Sequence, residues 1–99
     1  MTRIATLMGL ALAALPSYAQ ESPAARSLAA TCASCHGTDG RSATKEVVAL
    51  AGLPRDHIAS QMRAFRDGSR PGTIMPQLAK GYSDQQIDLM AEYFSRRAR

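Results

Sequence analysis

The chain has 99 residues, a length that allows one small domain. Twelve Lys and Arg residues against eight Asp and Glu residues give a formal net charge of +4 at pH 7. This balance is too weak to indicate nucleic-acid binding, and we expect none.

The first 19 residues have the organisation of a secretory signal peptide. Arg3 supplies a positive charge, and a short apolar run of twelve residues, 4–15, follows it directly. Residues 17–19, Ser-Tyr-Ala, then place small side chains at the −3 and −1 positions of a cleavage site. Twelve residues are too few to span a bilayer. We therefore expect cleavage after Ala19, with residues 20–99 forming the mature domain in the periplasm without a membrane span.

A first helix is predicted to follow the cleavage site. Ser22 is a good N-cap and Pro23 a good first helical residue. We expect this helix to run to about Cys32, with Ala24, Leu28 and Thr31 on one face.

Residues 32–36 read C-A-S-C-H, the motif through which two thiols attach one haem covalently. Cys32 and Cys35 each bond one vinyl group, and His36 is held beneath the iron as an axial ligand. There are three alternatives. A thioredoxin-like redox site needs a βαβ context, a zinc site needs more ligands than His57 adds, and a disulfide is possible in an exported protein. The pentapeptide and the export signal together favour haem.

The chain beyond the motif is predicted to turn back at once. Two glycines and an aspartate in residues 37–40 indicate a tight turn. The apolar run 47–50 has residues that favour strands, but no second run pairs with it. We interpret it as a buried loop on the proximal side of the haem. We expect one of its backbone carbonyls to accept the free N–H of His36 and so fix the imidazole tautomer.

A second helix is predicted from about Pro54 to Asp67, and Gly68 follows it as a C′ residue. Ile58, Met62 and Phe65 recur at helical spacing and form its apolar face. His57 lies off this stripe and is interpreted as a surface histidine.

Residues 69–77 contain two prolines and a glycine, a composition that predicts an ordered loop rather than a helix. Met75 lies in this loop and is the candidate for the second axial ligand. Met62 and Met90 fall on apolar helix faces and are interpreted as packing residues.

The last helix is predicted from Asp84 to about Arg97. Ser83 and Gln86 form an S-x-x-Q capping box at its start. Its buried face is predicted to consist of Ile87, Met90, Ala91 and Phe94.

This order of motifs resembles the class I c-type cytochromes of the c4/c553-type branch. In particular, it resembles the cytochrome subunit of flavocytochrome c sulfide dehydrogenases. Val48 stands where the family often has proline. The resemblance covers Ala24 to Phe94 and rests on the motif at 32–36, Leu50-Ala51-Gly52, Ile58 with Gln61-Met62, Phe65-Arg66-Asp67-Gly68, Arg70, Ile74-Met75 and Ala79-Lys80-Gly81-Tyr82-Ser83-Asp84.

The resemblance implies an all-α protein with the small monohaem class I cytochrome c fold, in which three to four helices wrap one covalently bound haem c. It implies thioether bonds to Cys32 and Cys35 and axial iron ligation by His36 and Met75. We expect these 80 residues, numbers 20–99, to depend on the haem for their core.

Two protein ligands leave the iron no open position, so we expect an electron carrier without a substrate site of its own. By resemblance, it accepts electrons from the flavin-containing subunit of a sulfide dehydrogenase. The alternative within this class is a free c4/c553-type carrier between a membrane complex and a terminal oxidase or reductase. A haem enzyme such as a peroxidase is a third possibility, which requires Met75 to dissociate. Arg70 and Lys80 flank the methionine loop and are expected to steer an acidic partner.

The signal peptide can be tested by the mass of the exported protein. We expect a mature N-terminus at Gln20, because Ala19 occupies the −1 position of the cleavage site. Intact-protein mass spectrometry after periplasmic extraction measures it. A haem-loaded chain that retains residues 1–19 would contradict the prediction.

Overall fold

The computed structural model of the chain describes residues 21–99, together with Gly9, Ala13 and Ala14. The predicted cleavage site after Ala19 and nearly all of the predicted signal peptide lie outside the described residues. Within the described range, no helix is both long enough and apolar enough to cross a membrane.

The described part of the chain consists of helices and loops and has no strand, which confirms the all-α prediction. Three helices in this range have eight or more residues. One of the two shorter helices follows the first long helix in the chain, and the other follows the second. In chain order they are α1 (Pro23–Ala30), α2 (Ala33–His36), a 3-10 turn (Thr38–Gly40), α3 (Arg55–Asp67), α4 (Met75–Ala79) and α5 (Asp84–Ser95).

Helix α1 begins where its sequence predicts and ends two residues early. The Ser22 side chain accepts a hydrogen bond from the backbone N–H of Ala25. The predicted face was wrong: Ala25 and Ala29 are buried, whereas Ala24 is exposed. Helix α1 packs on α5, and two methyl groups one turn apart allow the backbones to come close.

Helix α3 confirms its predicted end. Gly68 follows Asp67 in the left-handed conformation, with φ of 86°, as expected for a C′ glycine. Ile58 and Ala59 are buried in the core. Met62 and Phe65 are only partly buried, so the apolar stripe continues from the core onto a second surface of the helix.

Helix α4 corrects the prediction that residues 69–77 contain no helix. It begins at Met75, and the N–H groups of Gln77 and Leu78 both donate to the carbonyl of Ile74. Pro76 falls in its first turn, where a missing N–H breaks no intrahelical bond. Met75 is therefore the first residue of a short helix rather than part of a loop.

Helix α5 has the predicted capping box. The N–H of Gln86 donates to Ser83 Oγ at 3.2 Å, and the N–H of Ser83 donates to Gln86 Oε1 at 2.9 Å. The helix ends at Ser95, two residues before the predicted end. Its buried face is the predicted one: Ile87, Met90, Ala91 and Phe94.

Arginines of α3 bind acidic residues of α5 along the outer surface of this helix pair. Arg63 bridges Asp84 at 3.1 Å and Asp88 at 2.8 Å, and Arg66 also binds Asp84, at 2.6 Å. The bond from Arg66, followed by that from Arg63, lowers the pKa of Asp84. Exposed pairs of this kind stabilise a fold only weakly.

The core of the domain is small in volume. Helix α5 lies at its centre and packs against both α1 and α3. Within residues 21–99, six of the ten buried hydrophobic residues are alanines. The larger buried side chains are Ile58, Ile87, Met90 and Phe94. A core of this size rarely stabilises a domain of about 80 residues without a further cross-link or cofactor.

Preventing haem attachment is therefore expected to unfold the protein. Replacing Cys32 and Cys35 by Ala should abolish covalent haem and most of the helical circular dichroism, because the remaining core is too small. Ser34→Ala, an exposed position in the same motif, is the control and should keep both. A cooperative thermal transition at near-native helix content in the haem-free variant would refute the dependence.

Candidate haem site

Helix α2 holds the two cysteines and the histidine of the motif on one helical turn. The N–H groups of Cys35 and His36 both donate to the carbonyl of Cys32, at 3.3 and 2.9 Å. Cys32 is partly buried, Cys35 is exposed, and both thiols are free. Residues three apart on a helix share a face, so both sulfurs can reach one flat ligand. Among the described residues, no three His, Cys, Asp or Glu side chains are grouped as a metal site requires.

Burial raises the pKa of the Cys32 thiol. The hydroxyl of Thr31, 3.9 Å from its sulfur, partly opposes this, and the neighbouring Cys35 adds to it.

The imidazole of His36 is fixed by one hydrogen bond. Its Nδ1 lies 2.7 Å from the carbonyl oxygen of Val48. A carbonyl only accepts, so Nδ1 carries the proton and Nε2 keeps a free lone pair for a metal. This confirms the prediction that a carbonyl of residues 47–50 binds His36. Because the bond uses the backbone, it does not need the proline that the family often has at this position.

The same loop corrects a prediction about burial. Val48 is 60% exposed, so protein atoms alone do not bury residues 47–50. The side chains of Val48 and Leu50 instead line an open cleft. The loop is held by its backbone, because the N–H groups of Leu50 and Ala51 donate to the carbonyl of Gly40.

The predicted tight turn after His36 is present and is docked on α5. Gly40 is buried with φ of 76°, and a Cβ there would lie 2.8 Å from the ring of Phe94. The hydroxyl of Tyr93 donates to Asp39 Oδ1 at 2.6 Å, and this bond to a carboxylate raises the pKa of Tyr93. The turn that carries the chain away from His36 is thus attached to the central helix.

His36 and Met75 line the same cleft, which has a volume of about 140 Å³ and opens to solvent. Met90 is not near it, since it is 2% exposed in the core. The cysteines are not part of the lining, but they belong to the helical turn that carries His36. The walls are mostly apolar: Val48, Leu50, Leu53, Ile58, Met62 and Phe65.

Three polar side chains of the cleft were not identified as site residues from the sequence. His57 is exposed, as predicted, but it lies at the cleft. The guanidinium of Arg70 lies over the ring of Phe65, 4.6 Å from its centroid, and binds Gln61. Arg70 is therefore part of the cleft wall, and its expected role in steering an acidic partner stays a prediction. The available signal was its position two residues after Gly68, where the chain folds back on α3.

The residues present fit a haem. The free Nε2 of His36 offers a nitrogen ligand, Met75 offers a sulfur, and apolar walls suit a flat porphyrin. Val48 and Ile74 are 60% and 56% exposed, which leaves apolar surface for a planar group to cover. The haem also carries two carboxylates, and Arg70 supplies a cation for them.

Comparison with known proteins agrees with this geometry. The sequence model of the family described as "Cytochrome C oxidase, cbb3-type, subunit III" matches residues 19–94. Over 67 residues the chain is 42% identical to the cytochrome subunit of sulfide dehydrogenase from Chlorobaculum tepidum, covering 68% of this chain and 60% of that protein. Over 94 residues it is 38% identical to the thiosulfate dehydrogenase electron acceptor from Thiomonas intermedia, covering 94% of this chain and 42% of that protein.

A solved structure shows the same architecture. Cytochrome c4 from Acidithiobacillus ferrooxidans superimposes with a TM-score of 0.66 at 28% identity, covering 80% of this chain and 52% of that one. This confirms the predicted class I cytochrome fold. The chain thus spans about half of the length of that structure, and 60% and 42% of the two relatives named above.

Proposed function

The chain belongs to the family of c-type cytochromes, electron-transfer proteins with covalently bound haem c, and on this premise we propose that it carries single electrons in the periplasm through a haem held by His36 and Met75. Cys32 and Cys35 form the thioether bonds. When bound, the haem supplies an iron that cycles between the ferric and ferrous states. The observation that carries the proposal is that a histidine with a fixed tautomer and a methionine line one apolar cleft.

The protein's part in electron transfer is to hold the iron ligands still. The Val48 carbonyl holds a proton on Nδ1 of His36, which leaves Nε2 as the ring nitrogen that can bind the iron. Two strong ligands leave no position for a substrate, so the oxidation state changes with little rearrangement. A methionine thioether also raises the reduction potential.

The choice of Met75 over Met62 is supported by where each lies. Met62 lies within the 13-residue helix α3 and packs against the buried core cluster. Met75 is the first residue of α4, between Ile74 and Pro76, and is only partly buried. Its side chain has fewer packing contacts to lose when the sulfur binds iron.

Arg70 is proposed to bind the haem carboxylates. Stacking on Phe65 and the bond to Gln61 already hold its guanidinium, so little side-chain entropy is lost on binding. The apolar walls strengthen an ion pair there relative to one in water.

Substitution of the two methionines tests the ligation. Met75→Ala should lower the reduction potential and let carbon monoxide bind the ferrous haem, because it opens the sixth position. Met62→Leu is the matched control, since this volume-conserving swap should keep the spectrum of thioether ligation. Optical spectra and redox titration measure both. Loss of thioether ligation in Met62→Leu, with its retention in Met75→Ala, would reverse the assignment.

The partner proposed for this carrier is the flavin-containing, sulfide-oxidising subunit of a sulfide dehydrogenase. The 42% identity to a cytochrome subunit of that enzyme supports it. The alternative is a free soluble carrier of the c4/c553 type, which the structural likeness to a cytochrome c4 favours. Copurification of the tagged cytochrome with a flavin-containing chain separates the two.

The docking surface is expected around the mouth of the cleft. Ala33 in the motif at 32–36, Ile74 beside Met75, and Lys80 at the C-cap of α4 are all exposed. Lys80→Glu should slow reduction by an acidic partner by about 2- to 10-fold at low salt, because it removes steering. Arg26→Glu is the matched control. It makes the same change in charge on α1, and no residue of α1 lines the cleft. Stopped-flow reduction over a salt series measures the rates, and equal slowing by both variants would place docking elsewhere.

A further inference from the structure

One side-chain hydrogen bond joins the two segments that carry the proposed iron ligands. The hydroxyl of Tyr82 lies 3.1 Å from Thr31 Oγ1. Thr31 immediately precedes the haem-attachment motif, residues 32–36. Tyr82 ends the Met75 segment, by which we mean residues 75–82, comprising α4 and the turn into α5. Among the described residues, no other hydrogen bond connects these two segments.

The direction of this bond follows from the partners of Thr31. Its hydroxyl donates its only proton to the carbonyl of Leu28, at 2.7 Å. The Thr31 oxygen can then only accept, so Tyr82 is the donor. The bond to Leu28 also fixes the Thr31 rotamer, which means that the acceptor is in place before Tyr82 reaches it.

Tyr82 is itself held at three further points. Its N–H donates to the carbonyl of Ala79 at 3.3 Å, and its own carbonyl accepts from Arg66 at 3.3 Å. Its ring is partly buried and packs against the core cluster. Because the rest of the residue is fixed, the hydroxyl bond transmits the position of α1 and the motif directly to α4.

We propose that Tyr82 is a positioning residue, whose hydroxyl clasps the Met75 segment to the haem-attachment motif and so limits dissociation of Met75 from the iron. This inference rests on the proposed ligation by Met75. The clasp matters most in the ferric state, because a soft thioether binds ferric iron less well than ferrous iron. In that state the protein must keep the sulfur in place.

Imidazole binding to the ferric holoprotein measures how often Met75 leaves the iron, since imidazole needs the vacated position. Tyr82→Phe keeps the ring and removes the donor. It should increase the apparent imidazole affinity by about 2- to 10-fold, the effect on an opening equilibrium of one ordinary hydrogen bond. Thr31→Val should give the same increase, Thr31→Ser should restore the native value, and the double variant Tyr82→Phe with Thr31→Val should add nothing further.

Tyr93→Phe is the matched control. It also removes a hydroxyl bond from a partly buried tyrosine, but that bond goes to Asp39 in the turn after His36. It should lower the stability of the fold and leave imidazole affinity unchanged. An unchanged affinity in Tyr82→Phe, or an equal increase in Tyr93→Phe, would overturn the clasp.

The same assay separates this inference from the ligation on which it rests. In a Met75→Ala background the sixth position is open, so imidazole should bind far more tightly and Tyr82→Phe should have no further effect. If Met75→Ala binds imidazole as the native protein does, the ligation fails. If Met75→Ala binds tightly but Tyr82→Phe matches the native protein, the ligation stands and the clasp fails.

Discussion

A core built mostly of alanine side chains is the constraint on which the rest of this structure depends. Small residues let α1 and α3 approach α5 closely, but they bury little apolar surface. Large apolar side chains are instead left exposed, among them Val48 at the cleft and Ile74. We expect the haem to cover such surface and so to be an element of the fold as well as the redox centre.

The site is built from turns and short helices. Each of these is held by a hydrogen bond to another part of the protein. Tyr93 on α5 holds the turn after His36 through Asp39, and Tyr82 joins the Met75 segment to the end of α1. The imidazole itself is fixed by the backbone of Val48. Such anchoring suits a carrier whose ligands must stay in place in two oxidation states, because any movement on reduction slows electron transfer.

Some charged residues bind other side chains of the protein, and others are exposed to solvent. All three acidic side chains of α5, Asp84, Asp88 and Glu92, are bound by arginines, so the outer face of α3 and α5 carries little unpaired negative charge. Arg70 is taken up by the cleft wall through Phe65 and Gln61. Lys80, the C-cap of α4, remains exposed. It is the charge that we expect to face the proposed partner.

Local signals were sufficient wherever one stretch of chain decides its own structure. The C′ position of Gly68 and the capping box of Ser83 and Gln86 act through bonds a few residues long, so the sequence by itself determined the helix order and the buried face of α5. The motif at 32–36 likewise predicts where the haem is attached. Two local predictions failed. Pro76 was taken to exclude a helix although it is tolerated in a first turn, and the α1 face was misplaced because alanines give little contrast in hydropathy.

Only the tertiary structure decided which distant residues meet. The sequence could not choose Val48 among four carbonyls as the partner of His36, place Arg70 against Phe65, or pair Tyr82 with Thr31. Each of these contacts depends on the distance and angle between helices, and these are set by how the small side chains of α1, α3 and α5 pack. No spacing within the sequence encodes that packing. The apolar residues of one helix recur with a helical period, and this period says nothing of the position of the next helix.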